Sequence, residues 1–554
     1  MGLIDKLFGR IAARATHESV LQDYLDLLPD EFRGDSEQSQ LIEKVLTQLQ
    51  EIEDSDDKRK LLVLISGGPG TGKSVVAETI LLIWSHMRAS TEGMQAQDIP
   101  YENYGAILLQ GQTFDRRHRE IRRELKKCLA KWSGKLETRE RKRSWARDIV
   151  ILDEAHLAPP LRYAGAGNQE PMNYHWNKRD LDARRVDVEE LARGTHIPRQ
   201  TEQGKPGEYE LLLPRAAQEA GKCLIVIRDP SQVHGPVAMS NDEFALSVSA
   251  ILGVDCYWDP GLDRVLPEDS EEFAFRFISE HLTTQHRTSE IWASFIRDLF
   301  RTGEIDLKEV GERYGKYLAS DTTGYERFVD NALSKSATGA SESVFTGYLM
   351  HDASSFIRWV RRQQEHAKFS DVEAHFRVLS TYSWKRDALI DLDGNSRHIL
   401  GWAPDAYPVN EEAEVDTAVR TRKYNDWLAE WPRKDKYDVA KDGVGYIASC
   451  QNQDFDGVGA IIGTHLKWVP TPDTEDSGHW VVDENAWMPF IKASPEVRRQ
   501  LSPEAGHGPL IEKVLAEARV LLTRPVHTVG VYFCDRAARD AFRTIGFRSV
   551  GRPY

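Results

Sequence analysis

Cysteine is scarce in this chain. Its 554 residues hold five (Cys128, Cys223, Cys256, Cys450 and Cys534), with no Cys-x-x-Cys pair and no histidine pair at zinc-finger spacing. A disulfide framework and structural zinc are therefore not expected. No apolar run reaches the length of about 18 residues that a membrane span needs, and the N-terminus lacks the apolar core and small-residue cleavage site of a secretory leader. The chain is expected to stay in the cytoplasm, with no membrane partner. An excess of positive charge is lacking too. With 72 Lys/Arg against 87 Asp/Glu, the formal net charge is −15, which argues against a whole-surface nucleic-acid coat but leaves room for one basic face. There is no long internal repeat, and no grouping of acids with a nearby lysine marks a nuclease.

What is present is a soluble, globular composition, with 40% hydrophobic and 29% charged residues. The length exceeds what one core can organise, so roughly two to four domains are expected. The opening "MGLIDKLFGRIAARA" places Leu3, Ile4, Leu7, Phe8 and Ile11 on one side of a helix, which reads as a helix packed on the body or fraying, in preference to a membrane or partner anchor. Lys6 stands where a myristoylation signal wants Ser or Thr.

The informative stretch is "LLVLISGGPGTGKSVVAETILL", Leu61 to Leu82. Leu61 to Ile65 is a short continuous apolar run, the pattern of a strand buried on both faces of a parallel sheet, and Val75 to Trp84 is helical in pattern. Between them, Gly67-Gly68-Pro69-Gly70-Thr71-Gly72-Lys73-Ser74 fits G-x-x-x-x-G-K-[ST], a P-loop. Glycines let backbone N–H groups curl toward phosphate oxygens, and the following helix adds its positive end. Lys73 would reach the β- and γ-phosphates of ATP, and the Ser74 hydroxyl would ligate Mg²⁺. A P-loop needs an acidic partner at the end of a second apolar strand. "DIVILDEAHLAPP" supplies it: Asp153 for Mg²⁺ and Glu154 as the general base that polarises the attacking water.

Four apolar runs (Leu61 to Ile65, Ala106 to Leu109, Ile149 to Leu152, Leu224 to Ile227) alternate with helical or polar stretches, as in a doubly wound α/β domain. Four more (Phe376 to Tyr382, Val444 to Ala448, Val458 to Ile462, Thr528 to Phe533) repeat the style without a second P-loop. The polar stretches 159 to 210, 302 to 345 and 385 to 440 read as insertions or surface arms, and Ser334 to Ser343 reads as a linker.

In order along the chain, these motifs resemble those of superfamily 1 helicases and, within them, a bacterial group related to the Schlafen helicase domain. The resemblance runs over roughly residues 36 to 550. "GGPGTGKS", "AILLQGQTFDRRHREIRREL", "ILDEAH" and "IVIRDPSQ" look like motifs I, Ia, II and III, and "TTQHRTSEIWASFI", "SCQNQDFDGVGAIIG" and "ARVLLTRPVHTVGVYFCD" like motifs IV, V and VI. Motif V departs from the family at Asn452, where glycine is usual, and at Asp454, where glutamate is. Motif VI departs at Pro525.

The resemblance implies two tandem RecA-like P-loop NTPase domains, parallel sheets flanked by helices, at 36–270 and 271–554. A helical segment at 1–35 would precede them, and inserted segments would lie near 302–345 and 385–440. It implies that Asp229 and Gln232 sense the γ-phosphate, that Arg287 and Arg524 act as catalytic arginines from the second domain, and that Gln451 and Asp454 contact nucleotide or strand. It also implies that Gln38 or Gln40, in "DSEQSQLIEKV", reads adenine.

Residues 115 to 148 carry fourteen Lys/Arg against six Asp/Glu, with Trp132 and Trp145 among them, the mixture that single-strand binding uses. His156 closes the "DEAH" run, where it would couple hydrolysis to movement. His286, His351 and His465 show no ligand spacing. Two functions fit: an ATP-driven translocase or helicase on single-stranded DNA or RNA, with phage defence or repair as its setting, or an ATPase switch that regulates a protein partner such as an effector nuclease without unwinding.

Overall fold

The computed structural model describes residues 36–91 (except 58), 105–108, 147–157, 161–165, 197–200, 206–233, 238–268, 273–284, 290–318, 346–369, 375–383, 390–392, 399–400, 431, 437, 439, 443–446, 455–492 (except 473 and 475), 498, 501, 509–545 and 548–550. Two compact units meet in sequence between residues 286 and 287.

The first unit opens with helix α1 (Glu37–Asp54), capped by the Ser36 hydroxyl, which accepts from the Ser39 N–H at 3.2 Å. Its buried stripe includes Gln38, Leu41, Ile42, Val45, Leu49 and Ile52, stepping by three and four residues. Strand β1 (Leu61–Gly67) is buried throughout and leads to helix α2 (Lys73–Thr91). Strands β2 (Gly105–Leu108) and β3 (Arg147–Leu152), helix α3 (Leu212–Glu219), strand β4 (Ala220–Arg228), helix α4 (Asn241–Leu252) and strand β5 (Arg276–Leu282) complete the framework.

All five strands run parallel, in the order β5-β1-β4-β3-β2. Strand alternation splits the interior in two. Leu61, Val63 and Ile65 join α1 and α2 in one core, and Leu62 and Leu64 join α3 and α4 in the other. Because β4 lies between β1 and β3, the loops that leave these three strands emerge side by side at the carboxyl edge, where parallel α/β sheets bind ligands.

The sequence pattern misses β5. Its apolar residues Phe277, Ile278 and Leu282 are diluted by Arg276, Ser279, Glu280 and His281, a mixture that an edge strand with one neighbour tolerates. It pairs with β1 from Leu61↔Arg276 to Gly67↔Leu282, so the first unit extends past the boundary expected at 270.

The second unit contains helix α5 (Glu290–Leu299), strand β6 (Thr346–Met350), helix α6 (Ala353–Phe369), strands β7 (Phe376–Ser380), β8 (Gly445–Tyr446) and β9 (Phe455–Ile462), helix α7 (Pro509–Leu522), and strands β10 (Pro525–Phe533) and β11 (Arg548–Val550). Its sheet is parallel too, in the order β8-β7-β9-β10-β6-β11. Two strand glycines admit tryptophan rings onto bare backbone. A Cβ at Gly347 would stand 2.4 Å from the Trp292 ring of α5, and one at Gly530 would stand 2.5 Å from the Trp359 ring of α6. The expected α/β class, parallel sheets flanked by helices, holds in both units.

The stretch 302–345 is not surface arm throughout. Helix Leu307–Leu318 lies inside it and buries Leu307, Val310 and Tyr314, an apolar stripe at helical spacing that the polar surroundings hide. In 159–210, the strands Leu161–Gly165, Ile197–Gln200 and Pro206–Leu211 form an antiparallel sheet. In 385–440, Ile390–Asp391 pairs with Ile399–Leu400. The linker expected at Ser334 to Ser343 and the helix expected within residues 1–35 lie outside the described residues. Among the described residues, no helix is long and apolar enough to cross a membrane.

Candidate nucleotide-binding site

The loop that leaves β1 is shaped by backbone demands on its glycines. Gly70 and Gly72 have φ of 83° and 80°, where a side chain is strained. At Gly67 a Cβ would stand 2.6 Å from the Leu282 carbonyl oxygen and 2.8 Å from Thr71 Oγ1. The turn is closed from within by Thr71 Oγ1, which donates to the Gly68 carbonyl at 3.0 Å. Lys73 Nζ donates to the carbonyls of Gly67 at 2.8 Å and Gly68 at 2.6 Å, and lies 3.9 Å from Asp229 Oδ2.

Ser74, on the first turn of α2, donates its hydroxyl to Asp153 Oδ2 at 2.9 Å. Asp153 is buried just past β3, and its Oδ1 accepts the Glu154 N–H at 2.8 Å. A hydroxyl and a carboxylate in contact are hard oxygen donors that suit Mg²⁺, and a lysine lying over a ring of loop glycines suits polyphosphate. The residues present therefore fit ATP with Mg²⁺. Lys73 and the loop amides would hold the phosphates, and Ser74 and Asp153 the ion.

Glu154 adopts φ of 55°, uncommon for a residue with a side chain. The turn aims its carboxylate back at His156, whose Nε2 lies 3.0 Å from Glu154 Oε2. His156 Nδ1 accepts the Asp229 N–H at 3.1 Å, which places the imidazole proton on Nε2, facing Glu154. Asp229 ends the chain of contacts. Its Oδ1 accepts from the Ser231 N–H at 2.9 Å and the Ser231 hydroxyl at 2.6 Å, and its Oδ2 accepts from Gln232 Nε2 at 2.6 Å. A run of polar contacts thus passes from Ser74 through Asp153, Glu154, His156 and Asp229 to Gln232, in which the approach of His156 to Glu154 is not a hydrogen bond.

The two glutamines of α1 are separated by helical phase. Gln38 is fully buried, and its Nε2 donates to the Thr71 carbonyl of the P-loop at 3.3 Å. Gln40 is exposed on the outward side. The signal was available in the sequence, since Gln38 shares the three-and-four-residue stripe of Leu41, Ile42 and Val45, and Gln40 does not. Next to it, the Glu37 carboxylate, which sequence reasoning did not single out, accepts the N–H groups of Thr283 at 2.8 Å and Thr284 at 2.5 Å. It pins the start of α1 to the end of β5.

Arg524 is buried at the head of β10 in the second unit. Arg287, Gln451 and Asp454 lie outside the described residues. So does the basic segment, apart from Arg147 and Asp148 in β3.

Residues 60–189, which carry the P-loop and the Asp153–Glu154 pair, match the family model described as Schlafen group 3, DNA/RNA helicase domain. Over these residues the chain is similar to the Schlafen helicase domain. Among solved structures it is similar to the Pif1 helicase from Candida albicans, at 11% identity over 95% of each chain, with a TM-score of 0.24. No curated protein matches this chain.

Proposed function

We propose that this Schlafen-like chain is an ATP-driven motor of the superfamily 1 type, which hydrolyses ATP at its P-loop and moves on single-stranded DNA or RNA. The observation that carries the reading is the run of polar contacts from Ser74 to Gln232, four of them hydrogen bonds and one the close approach of His156 to Glu154. It links the ion-binding hydroxyl, the general base and the γ-phosphate sensor in one rigid array, so that a change at the phosphate is felt at the loop beyond β4.

Each residue has a task. Lys73 and the loop amides bind the phosphates, and Ser74 and Asp153 orient the ion that, when bound, neutralises charge between the β- and γ-phosphates. Glu154 takes a proton from the attacking water, and His156 fixes the orientation of that carboxylate. Gln232 and Asp229 face the γ-phosphate. Arg524 and Arg287 supply positive charge against the charge that develops in the transition state.

The measurement that tests the reading is ATP turnover with and without single-stranded DNA and RNA oligomers. Stimulation by a strand supports the motor. Turnover indifferent to both would favour the partner-regulating switch.

Reversing Arg122, Arg123, Lys126 and Lys127 to Glu should weaken strand binding and flatten its salt dependence, since each lost phosphate contact removes about 0.7 of a released counterion on a single strand. Basal hydrolysis should survive. An unchanged salt slope in a titration at several ionic strengths would remove this segment from the strand path.

Gln38 should read the base, because its amide offers the donor and acceptor that match the adenine N7 and N6 edge, a pairing worth about 1–3 kcal/mol. Gln38→Ala should therefore lower the kcat/KM preference for ATP over GTP by about 5- to 160-fold. Gln40→Ala should leave it as it is. Equal preference in wild type and Gln38→Ala would remove the assignment.

A further inference from the structure

Arg228, the last residue of β4, points to the α4 side of the sheet and is 1% exposed. A guanidinium carries five N–H donors and a fixed charge, so burying one is costly unless it is well partnered. Here Nη2 donates to the Met239 carbonyl at 3.1 Å and to Asn241 Oδ1 at 2.6 Å. The guanidinium carbon lies 4.4 Å from the Phe244 ring centre and 5.7 Å from that of Trp258. Nε and Nη1 have no hydrogen-bond partner among the described residues. Burial pulls its pKa down to about 9, and the charges of Glu243 and Asp229 oppose that pull through space.

The placement of its acceptors gives this cation a purpose. Arg228 immediately precedes Asp229, while Met239 and Asn241 lead into α4. One side chain thus ties the segment that leaves β4 to the segment that enters α4, and the aromatic rings hold its plane. Asp229 has little freedom to spare: its N–H is committed to His156, its carboxylate to Ser231 and Gln232, and Lys73 is 3.9 Å away.

We propose that Arg228 is a positioning residue for ATP hydrolysis, a clasp that closes the segment between β4 and α4 and so holds Asp229 and Gln232 at the γ-phosphate. The role rests on the ATPase reading given above. A clasp of this kind acts on the triphosphate and not on the diphosphate, which separates it from simple support of the fold.

Wild-type ATP turnover is measured first, so that failure of the ATPase reading is recognised before the clasp is tested. Arg228→Met, close in volume and without hydrogen bonds, should lower kcat by about tenfold or more, the effect of displacing an active-site group by a fraction of an ångström. Its ADP affinity should stay within about twofold of wild type, because Lys73 and the loop amides are untouched, and its preference for a non-hydrolysable ATP analogue over ADP should shrink. Arg228→Lys should recover part of kcat, since an ammonium keeps a charged donor near the Met239 carbonyl and Asn241 Oδ1 but lacks the planar group that lies over the Phe244 ring. Asn241→Ala, which removes an acceptor at a half-buried helix start, should show the same split at about threefold. Normal kcat in folded Arg228→Met overturns the proposal. So does equal loss of ADP and ATP-analogue affinity together with a lowered melting temperature. If Arg228→Met does not fold, Asn241→Ala decides: a fall in kcat with ADP affinity kept supports the clasp, and unchanged kcat overturns it.

Discussion

Replacing Lys73 by alanine is expected to lower ATP turnover by about 10³-fold, roughly 4 kcal/mol of transition-state stabilisation. The ammonium is held over the loop by the carbonyls of Gly67 and Gly68 at 2.8 and 2.6 Å, so its charge is in place before the phosphates arrive and needs no reorganisation during the reaction. No other cation approaches that point from the described part of the loop. The fold should survive, because Lys73 sits at the first turn of α2 outside both apolar cores, and losing its two hydrogen bonds costs only about 1–3 kcal/mol. Lys73→Arg should restore little, since a planar fork does not fit a turn closed around a point charge. Phosphate release alongside a melting curve checks both halves. Turnover within tenfold of wild type would end the P-loop assignment.

The second large effect is expected at Glu154. Glu154→Gln keeps the shape beside His156, but it would remove the group proposed to accept the water proton. Hydrolysis should fall by about 10²- to 10⁴-fold, while ATP affinity should stay near wild type because the proposed ion ligands, Ser74 and Asp153, are untouched. A single-turnover measurement beside equilibrium binding of a fluorescent ATP analogue separates the two. Ordinary turnover in this variant would remove Glu154 from the base role and leave His156 with no carboxylate to orient.

Much of this architecture is legible in the sequence, for a physical reason. Strands buried on both faces must be continuously apolar, and β1, β3, β4 and β9 announce themselves that way. The P-loop announces itself because its glycine conformations and its lysine cannot be replaced by ordinary turn residues. What escapes notice is structure whose signal is shared with solvent. Strand β5 is half polar because it is an edge, and helix Leu307–Leu318 is hidden by its charged outer face. In the site, the residue types and spacings of Lys73, Ser74, Asp153 and Glu154 carry their own chemistry, whereas the choice of Gln38 over Gln40 depends on helical phase. Arg228 could not be read at all, because a buried arginine and an exposed one look alike until the elements around them are placed.

The interleaved strand order has one more consequence. Leu64, Ile65 and Ser66 of β1 stand level with Val226, Ile227 and Arg228 of β4, and Ile151 and Leu152 of β3 stand level with Ile225 and Val226. Continuing the count puts Asp153 beside Ile227, while Gly67 comes level with Asp229, so the acidic turn begins two rungs below the phosphate loop, about 6–7 Å at the rise of a parallel strand. The sheet behaves as a vernier scale whose offset sets how far Asp153 and Glu154 are recessed beneath the P-loop. A one-rung slip of β4 would exchange its two faces and swing Arg228 and Asp229 to opposite sides. The spacing between the P-loop, the Asp153–Glu154 turn and Asp229 is therefore fixed by hydrogen-bond register deep in the sheet, and the loops inherit it.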